Sequence, residues 1–579
     1  MISFEFHISR QARQQYAFDD LLFASNGNVI LADFDAAQRL ARRMQAAGEP
    51  AGAGEIYAMG LIDEVLHRVA RLYRMSVNPW ALEKALDWLA KHVGSEAVEN
   101  TLRAFCAEFP PLGVHRGEIS LEDYLSGRSD GLLNRQIALE EMMMLYLANA
   151  NPAFRPYAAL FDDSSLAGST AYHEIVAQLE AFFETQPPFG PQQQSLFRLL
   201  RAPALAADTL EGQLEFIRQH WGSLLGDWLT QLLRALDYLH EESKPSFPPG
   251  PGPIQAPRYD DDYAEGEAPE RFSLDQDWMP GLVLIAKNTY VWLRQLSRQY
   301  HREVRRLDQI PDEELDKLAS WGINGLWLIG VWERSPASKR IKQLCGNLDA
   351  GASAYSLYDY VIAADLGGEA ALNNLRQRAA RRGIRLAADM VPNHMGIDSR
   401  WVIEHPDWFL ATDQPPYPHY TFNGENLSSD PRVDIYLEDH YYDKSDAAVV
   451  FKRTTNATNA TNATNATLYI YHGNDGTSMP WNDTAQLNFL NPEVREAVIQ
   501  TILHVARQFP IIRFDAAMTL TKKHYQRLWF PEPGQGGAIP SRARFGMTRA
   551  AFDQAMPQEF WREVVDRVAQ EVPDTLLLA

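Results

Sequence analysis

Two short stretches in the second half of the chain carry side chains suited to nucleophilic or acid–base work. DMVPNH places a carboxylate, an amide and an imidazole (Asp389, Asn393 and His394) within six residues, and IRFDA holds Arg513 and Asp515 two positions apart. On an extended segment, residues i and i+2 point to the same face. A carboxylate turned into a protein interior costs several kcal/mol if left unpaired, so the neighbouring guanidinium matters. It favours the ionised form and leaves Asp515 available as a nucleophile. Taken alone, such a pair reads at least as well as a buried ion pair that fixes strand register. The joint occurrence of the two stretches gives the chemical reading its weight.

Both stretches fall in a region where short apolar runs alternate with helical periodicity. TYVWLRQLS (289–297), INGLWLIGVW (323–332), IRLAADMVPNH (384–394), IIRFDAAM (511–518) and DTLLLA (574–579) read as strands. DEELDKLASWG (312–322), EAALNNLRQRAARRG (369–383), PEVREAVIQTILHVARQF (492–509) and QEFWREVVDRVAQEV (558–572) read as helices. Repeated βα units imply parallel strands joined by crossover helices. Five strands fit either an open doubly wound sheet or part of a (β/α)8 barrel. In a barrel, the residues that act on substrate sit at the carboxyl ends of the strands, which is where both stretches lie. Residues 397–485 between them are far too long for a βα loop and imply an inserted subdomain. Within it, AAVVFKRT and LYIYHGND read as a hairpin. The tract joining them places Asn456, Asn459, Asn462 and Asn465 each before Ala-Thr, a polar repeat expected to form an extended tip rather than a glycan array.

Upstream the pattern is helical. Residues 1–244 are read as a mainly helical domain, with one long amphipathic helix carrying Trp221, Leu224, Leu225, Trp228, Leu229, Leu232, Leu233, Leu236 and Leu239 on one stripe. The alternating Ile2, Phe4, Phe6 and Ile8 suggest an edge strand at the start. The Met142–Met144 run is assigned to core filling and His67, His92 and His115 to ordinary surface positions. Residues 245–280, with five prolines followed by an acidic run, read as a solvated linker.

Of the 579 residues, 46% are hydrophobic and 22% charged, the balance of a folded protein. The 54 basic against 75 acidic side chains leave a net charge of −21, and no basic patch offsets it, so a nucleic-acid partner is not expected. No window is apolar enough to span a membrane. Two distant cysteines, Cys106 and Cys345, make no disulfide framework, and with no secretory signal visible the expected location is cytoplasmic. No GxGxxG follows a strand, which argues against a dinucleotide-dependent dehydrogenase.

Together these motifs resemble the α-amylase family of glycoside hydrolases over roughly residues 283–579. DMVPNH is similar to the family's first conserved region and IRFDA to its second. QLNFLNPEVR (486–495) resembles the motif that closes the inserted domain, and SAYSLYDY (353–360) the segment after the second strand. The resemblance implies a (β/α)8 barrel over 281–579, with the 397–485 subdomain inserted after its third strand. It also implies a retaining mechanism in which Asp515 is the covalent nucleophile and Arg513 its partner. Asp389 and His394 are implied to hold the sugar, Tyr355 to stack on it and Asp359 to shape the site. Asn393 stands where many members bind calcium; no cofactor is required by the reading. The implied partner is an oligo- or polysaccharide of the α-glucan type, and the reaction hydrolysis or transglycosylation. Met518 and Thr519 stand where many members have Lys-His, a departure on the leaving-group side. The family's general acid follows the fifth strand, where this sequence stops, so the chain is expected to be an inactive fragment of a longer enzyme. The alternative is a non-catalytic carbohydrate-binding or scaffold protein that retains part of the barrel.

Overall fold

The computed structural model describes residues 8–18, 33–129, 131–226, 228–242, 276–456, 466–476, 479–536 and 543–579. The expected strand at residues 2–6, almost all of the 245–280 linker, and Asn459, Asn462 and Asn465 lie outside these residues. The chain divides into two compact units, residues 1–244 with 533–538, and residues 245–532 with 539–579. No helix among the described residues is long and apolar enough to cross a membrane.

The first unit is helical. Its longest helix, α1 (Ala53–Ser76), buries Ile56, Met59, Ile62, Val65, Leu66 and Val69. It packs against α2 (Asn134–Ala150), in which Met142, Met143 and Met144 are all core residues. The long amphipathic helix read from Trp221 onward is in fact two pieces. A short turn at Gly222–Leu225 ends at Gly226, whose φ of 55° is left-handed, and a new helix runs from Trp228 to Glu242. A uniform apolar stripe does not register a glycine that takes this conformation at little cost.

His67 also departs from expectation, for it is fully buried rather than on the surface. Its Nδ1 lies 2.9 Å from the Asp63 carbonyl and its Nε2 3.0 Å from Glu141 Oε2, tying α1 to α2. Burial lowers its pKa, but Glu141 and Asp63 outweigh that, and the net shift is well upward. This surrounding favours the charged form of the ring, which offsets the charge of a buried carboxylate.

The second unit is built on a five-stranded, all-parallel sheet: β1 (Leu284–Asn288), β2 (Gly325–Ile329), β3 (Arg385–Met390), β4 (Ile511–Phe514) and β5 (Leu576–Leu578). Spatial order follows chain order from β1 to β5 without reversal. A doubly wound sheet reverses at a switch point, and no such reversal occurs among the described strands. Residues 289–297, expected as the first strand, instead form a helix, Thr289–Gln299. Asn288 caps it by accepting from the Val291 N–H, and Trp292, Leu293 and Leu296 make its buried face. The strand lies one segment earlier, where β1 pairs with β2 in register from Leu284 to Asn288. The other strands stop short of their expected ends, β2 at Ile329, β3 at Met390, β4 at Phe514 and β5 at Leu578.

The insertion is closed at its neck by a short antiparallel pair, His394–Gly396 with Thr484–Gln486. Its body is a four-stranded antiparallel sheet that includes the expected hairpin, Val450–Thr455 with Thr467–Tyr471.

For the first unit, His67→Gln is expected to destabilise by about 3–5 kcal/mol at pH 6, because the buried Glu141 carboxylate loses its charged contact with His67. Since the folded pKa is raised, the contribution of His67 is fully present below the unfolded value of about 6.5 and is lost as pH rises through the folded value. Urea denaturation of wild type and variant across this range should show the gap closing at high pH.

Candidate functional site

Asp515 sits one residue past the end of β4, and its backbone N–H donates to the Met390 carbonyl at the end of β3 (2.9 Å). The two-residue spacing therefore survives the end of the strand, and Arg513 donates to the Asp515 carboxylate in a direct ion pair. The two side chains are 32% and 29% exposed, so the pair is open to solvent rather than sealed in the core. Burial works against the Arg513 charge, but Asp515, Tyr355 and Asp389 raise its pKa overall. Ala516, the next residue, has a φ of 55°. A left-handed alanine costs on the order of 1 kcal/mol, and it turns the chain sharply into the following 3₁₀ turn, Ala517–Leu520.

Asp389 lies beside this pair, register-matched to Arg513 across β3 and β4. It is only 2% exposed. Its Oδ1 accepts from Trp327 Nε1 (3.0 Å) and its carbonyl from Trp332 Nε1 (2.7 Å), while Oδ2 is buried without a hydrogen-bond partner among the described residues. Desolvation pushes its pKa up to about 6, against the opposing pull of Trp327 and Arg513. Trp327 does double duty, since the Arg513 guanidinium also lies 5.7 Å from its ring centroid. A lone tryptophan within the aliphatic run GLWLI was the available sign, because a buried indole N–H needs an acceptor.

Tyr355 is half-buried, and burial together with Asp389 and Asp515 raises its pKa, which places the phenol in the same electrostatic neighbourhood. His394 is buried and held within the protein by both ring nitrogens. Nε2 is 3.1 Å from the Tyr355 carbonyl and Nδ1 is 3.3 Å from Asn393 Nδ2. The carbonyl can only accept, so Nε2 carries the proton and Nδ1 accepts. Desolvation lowers the pKa of His394 and favours this neutral form. The imidazole thus positions the Tyr355 backbone, and neither nitrogen is left over for a sugar hydroxyl in this arrangement.

Asn393 is fully buried and exchanges hydrogen bonds with Gln486: its Nδ2 donates to Oε1 (3.2 Å) and its Oδ1 accepts from Nε2 (3.1 Å). Calcium takes six to eight oxygen ligands. No cluster of three or more His, Cys, Asp or Glu side chains is arranged for a metal among the described residues. With its oxygen turned to Gln486, Asn393 does not fit a calcium cage and instead joins the two strands at the neck of the insertion. Asp359 is also set apart. Its Oδ2 pairs with Arg400 (3.3 Å), and no hydrogen bond or ion pair joins it to Arg513, Asp515 or Asp389 among the described residues. Of the two residues at the departure from Lys-His, Met518 is 55% exposed and Thr519 is buried.

Residues 310–579 match the family described as alpha amylase, catalytic domain. Among solved structures, an alpha-amylase from Lactobacillus plantarum is 15% identical with a TM-score of 0.28, over 52% of this chain and 46% of that one. The trehalose-6-phosphate hydrolase of Bacillus licheniformis is 16% identical with a TM-score of 0.30, over 52% and 44%. A noncanonic maltogenic alpha-amylase from Thermotoga neapolitana is 17% identical with a TM-score of 0.26, over 43% and 42%. The chain thus spans less than half the length of these structures.

Asp389→Asn removes a buried charge with an unsatisfied oxygen. Because the folded pKa of Asp389 is raised, its ionised form costs stability at neutral pH, and the cost falls as pH drops through about 6 toward the unfolded value. The variant is expected to gain about 2–3 kcal/mol at pH 7.5, with the gain shrinking steadily down to pH 4 in calorimetric melts.

Proposed function

Residues 310–579 belong to the α-amylase family of glycoside hydrolases, and from that premise we propose that the protein cleaves or transfers α-glucosidic bonds of starch-, glycogen- or maltooligosaccharide-type glucans with retention of configuration. The observation that carries this reading is the Arg513–Asp515 ion pair, about one-third exposed at the carboxyl end of a parallel strand, with Asp389 and Tyr355 beside it. In the proposed first step an Asp515 oxygen attacks the anomeric carbon, the glycosidic C–O bond breaks, and an acid delivers a proton to the departing oxygen. In the second, water or a sugar hydroxyl loses its proton to that same group and attacks the anomeric carbon, releasing Asp515 as a carboxylate.

The geometry supports the other roles in this reading. Arg513 fixes the orientation of the Asp515 carboxylate through their direct ion pair. Tyr355 offers a ring face at the mouth, with its backbone held by His394. Asp389 contributes negative charge next to the anomeric centre and, through Trp327, orients Arg513. Under this reading the five parallel strands are the first five of a (β/α)8 barrel over residues 281–579, the 397–485 subdomain is the insertion after its third strand, and residues 1–244 are a separate helical domain. The exposed Met518, in place of a charged side chain, favours an acceptor site more apolar than that of many relatives.

α-Glucosyl fluoride tests the nucleophile separately, because fluoride departs with little help from an acid. Release of fluoride, with any freed sugar appearing first as the α-anomer, is expected by NMR, and Asp515→Asn should lower fluoride release by about 10³-fold or more. Unchanged turnover in the variant, or initial release of the β-anomer, would overturn the assignment. Saturable maltooligosaccharide binding with no fluoride turnover would favour the non-catalytic scaffold.

A further inference from the structure

The helical unit contains a cavity of about 300 Å³ unrelated to the residues discussed above. Its floor is apolar, formed by Ile62 and Leu66 of α1, Leu147 of α2, and Leu200 of α3 (Leu196–Ala206). All four side chains are at most 8% exposed, so the floor is a preformed part of the core surface. The rim is different. Arg155 makes no hydrogen bond or ion pair among the described residues, and Arg201 lies 4.0 Å from its one partner, Glu180, with both side chains substantially exposed. An ion pair of that length and exposure contributes at most about 1 kcal/mol and gives way readily to a better acceptor. Asp208 also lines the cavity, leaving the rim with a net charge of +1, a local reversal in a chain of net charge −21. Leu205 on the same rim is 72% exposed and adds apolar surface at the mouth of the cavity.

We infer that this cavity binds a small amphipathic anion, a carboxylate bearing an unbranched apolar chain of medium length. The volume lies at the lower end of small-molecule pockets, and an apolar floor with a few convergent polar groups is the usual make-up of such sites. A guanidinium pairs with a carboxylate through two parallel N–H···O bonds, and Arg155 and Arg201 are the two groups at the rim able to do so. The chain of the ligand lies over Leu66, Leu147 and Leu200 and covers Leu205. The rim charge selects against a cation.

Isothermal titration of the full protein with sodium octanoate is expected to give one saturable site with a Kd below about 1 mM. The Arg155→Gln/Arg201→Gln double variant should weaken binding by about tenfold or more, with its melting temperature unchanged because both side chains are on the surface. Acetate, lacking the chain, and 1-octanol, lacking the charge, should each bind at least about tenfold more weakly. No saturation by octanoate up to about 10 mM, equal binding of acetate or octanol, or full retention of octanoate binding by the double variant would overturn the proposal. Its outcome is independent of whether Asp515 acts as a nucleophile.

Discussion

The second unit depends on keeping two charged side chains at the end of a parallel sheet, neither sealed into the core nor loose in solvent. Arg513 and Asp515 meet that constraint because β4 ends between them. Arg513 is still on the strand and points as the ladder dictates, while Asp515 has left it and keeps only the backbone bond from its N–H to Met390. The strand provides register and the left-handed Ala516 provides the exit. A carboxylate held this way is oriented in advance, which is worth more to a reacting group than burial would be.

Around the pair, the interactions are arranged so that polar groups support one another instead of reaching solvent. Trp327 donates to Asp389 and lies under Arg513. His394 holds the Tyr355 backbone and receives from Asn393, which is in turn locked to Gln486. These contacts form two sets, one on the sheet around Trp327 and one at the neck of the insertion around His394. Asp389 is the weak point, with one oxygen unsatisfied and its pKa raised to about 6. Local cost concentrated beside an exposed charged pair is the pattern of a site maintained for function at the expense of stability.

Much of this architecture was legible beforehand. The alternation of apolar runs with helical stretches is a direct consequence of side-chain periodicity, so four of the five strands and the four helices read from the sequence could be placed within a few residues. The first strand could not. TYVWLRQLS is rich in strand-favouring residues, yet an asparagine cap and the burial of Trp292, Leu293 and Leu296 on one face settle it as a helix, an outcome decided by tertiary packing over propensity. The break at Gly226 and the burial of His67 were missed for a related reason. Periodicity reports which side faces a core and does not say where a glycine turns or which polar groups have buried partners.

The site divides along the same line. By itself the sequence determined that a carboxylate and a guanidinium two residues apart would share a face, because strand geometry admits little else. It also determined that a long insertion would separate them from the DMVPNH segment. Only the tertiary structure decided what each neighbour is bonded to. Asn393 is spent on Gln486, His394 on Tyr355 and Asn393, and Asp359 on Arg400, while Trp327, unnoticed in the sequence, joins Asp389 to Arg513. A hydrogen bond is settled within a few tenths of an ångström by groups that can be 93 residues apart, as Asn393 and Gln486 are, and no local pattern along a chain encodes that distance.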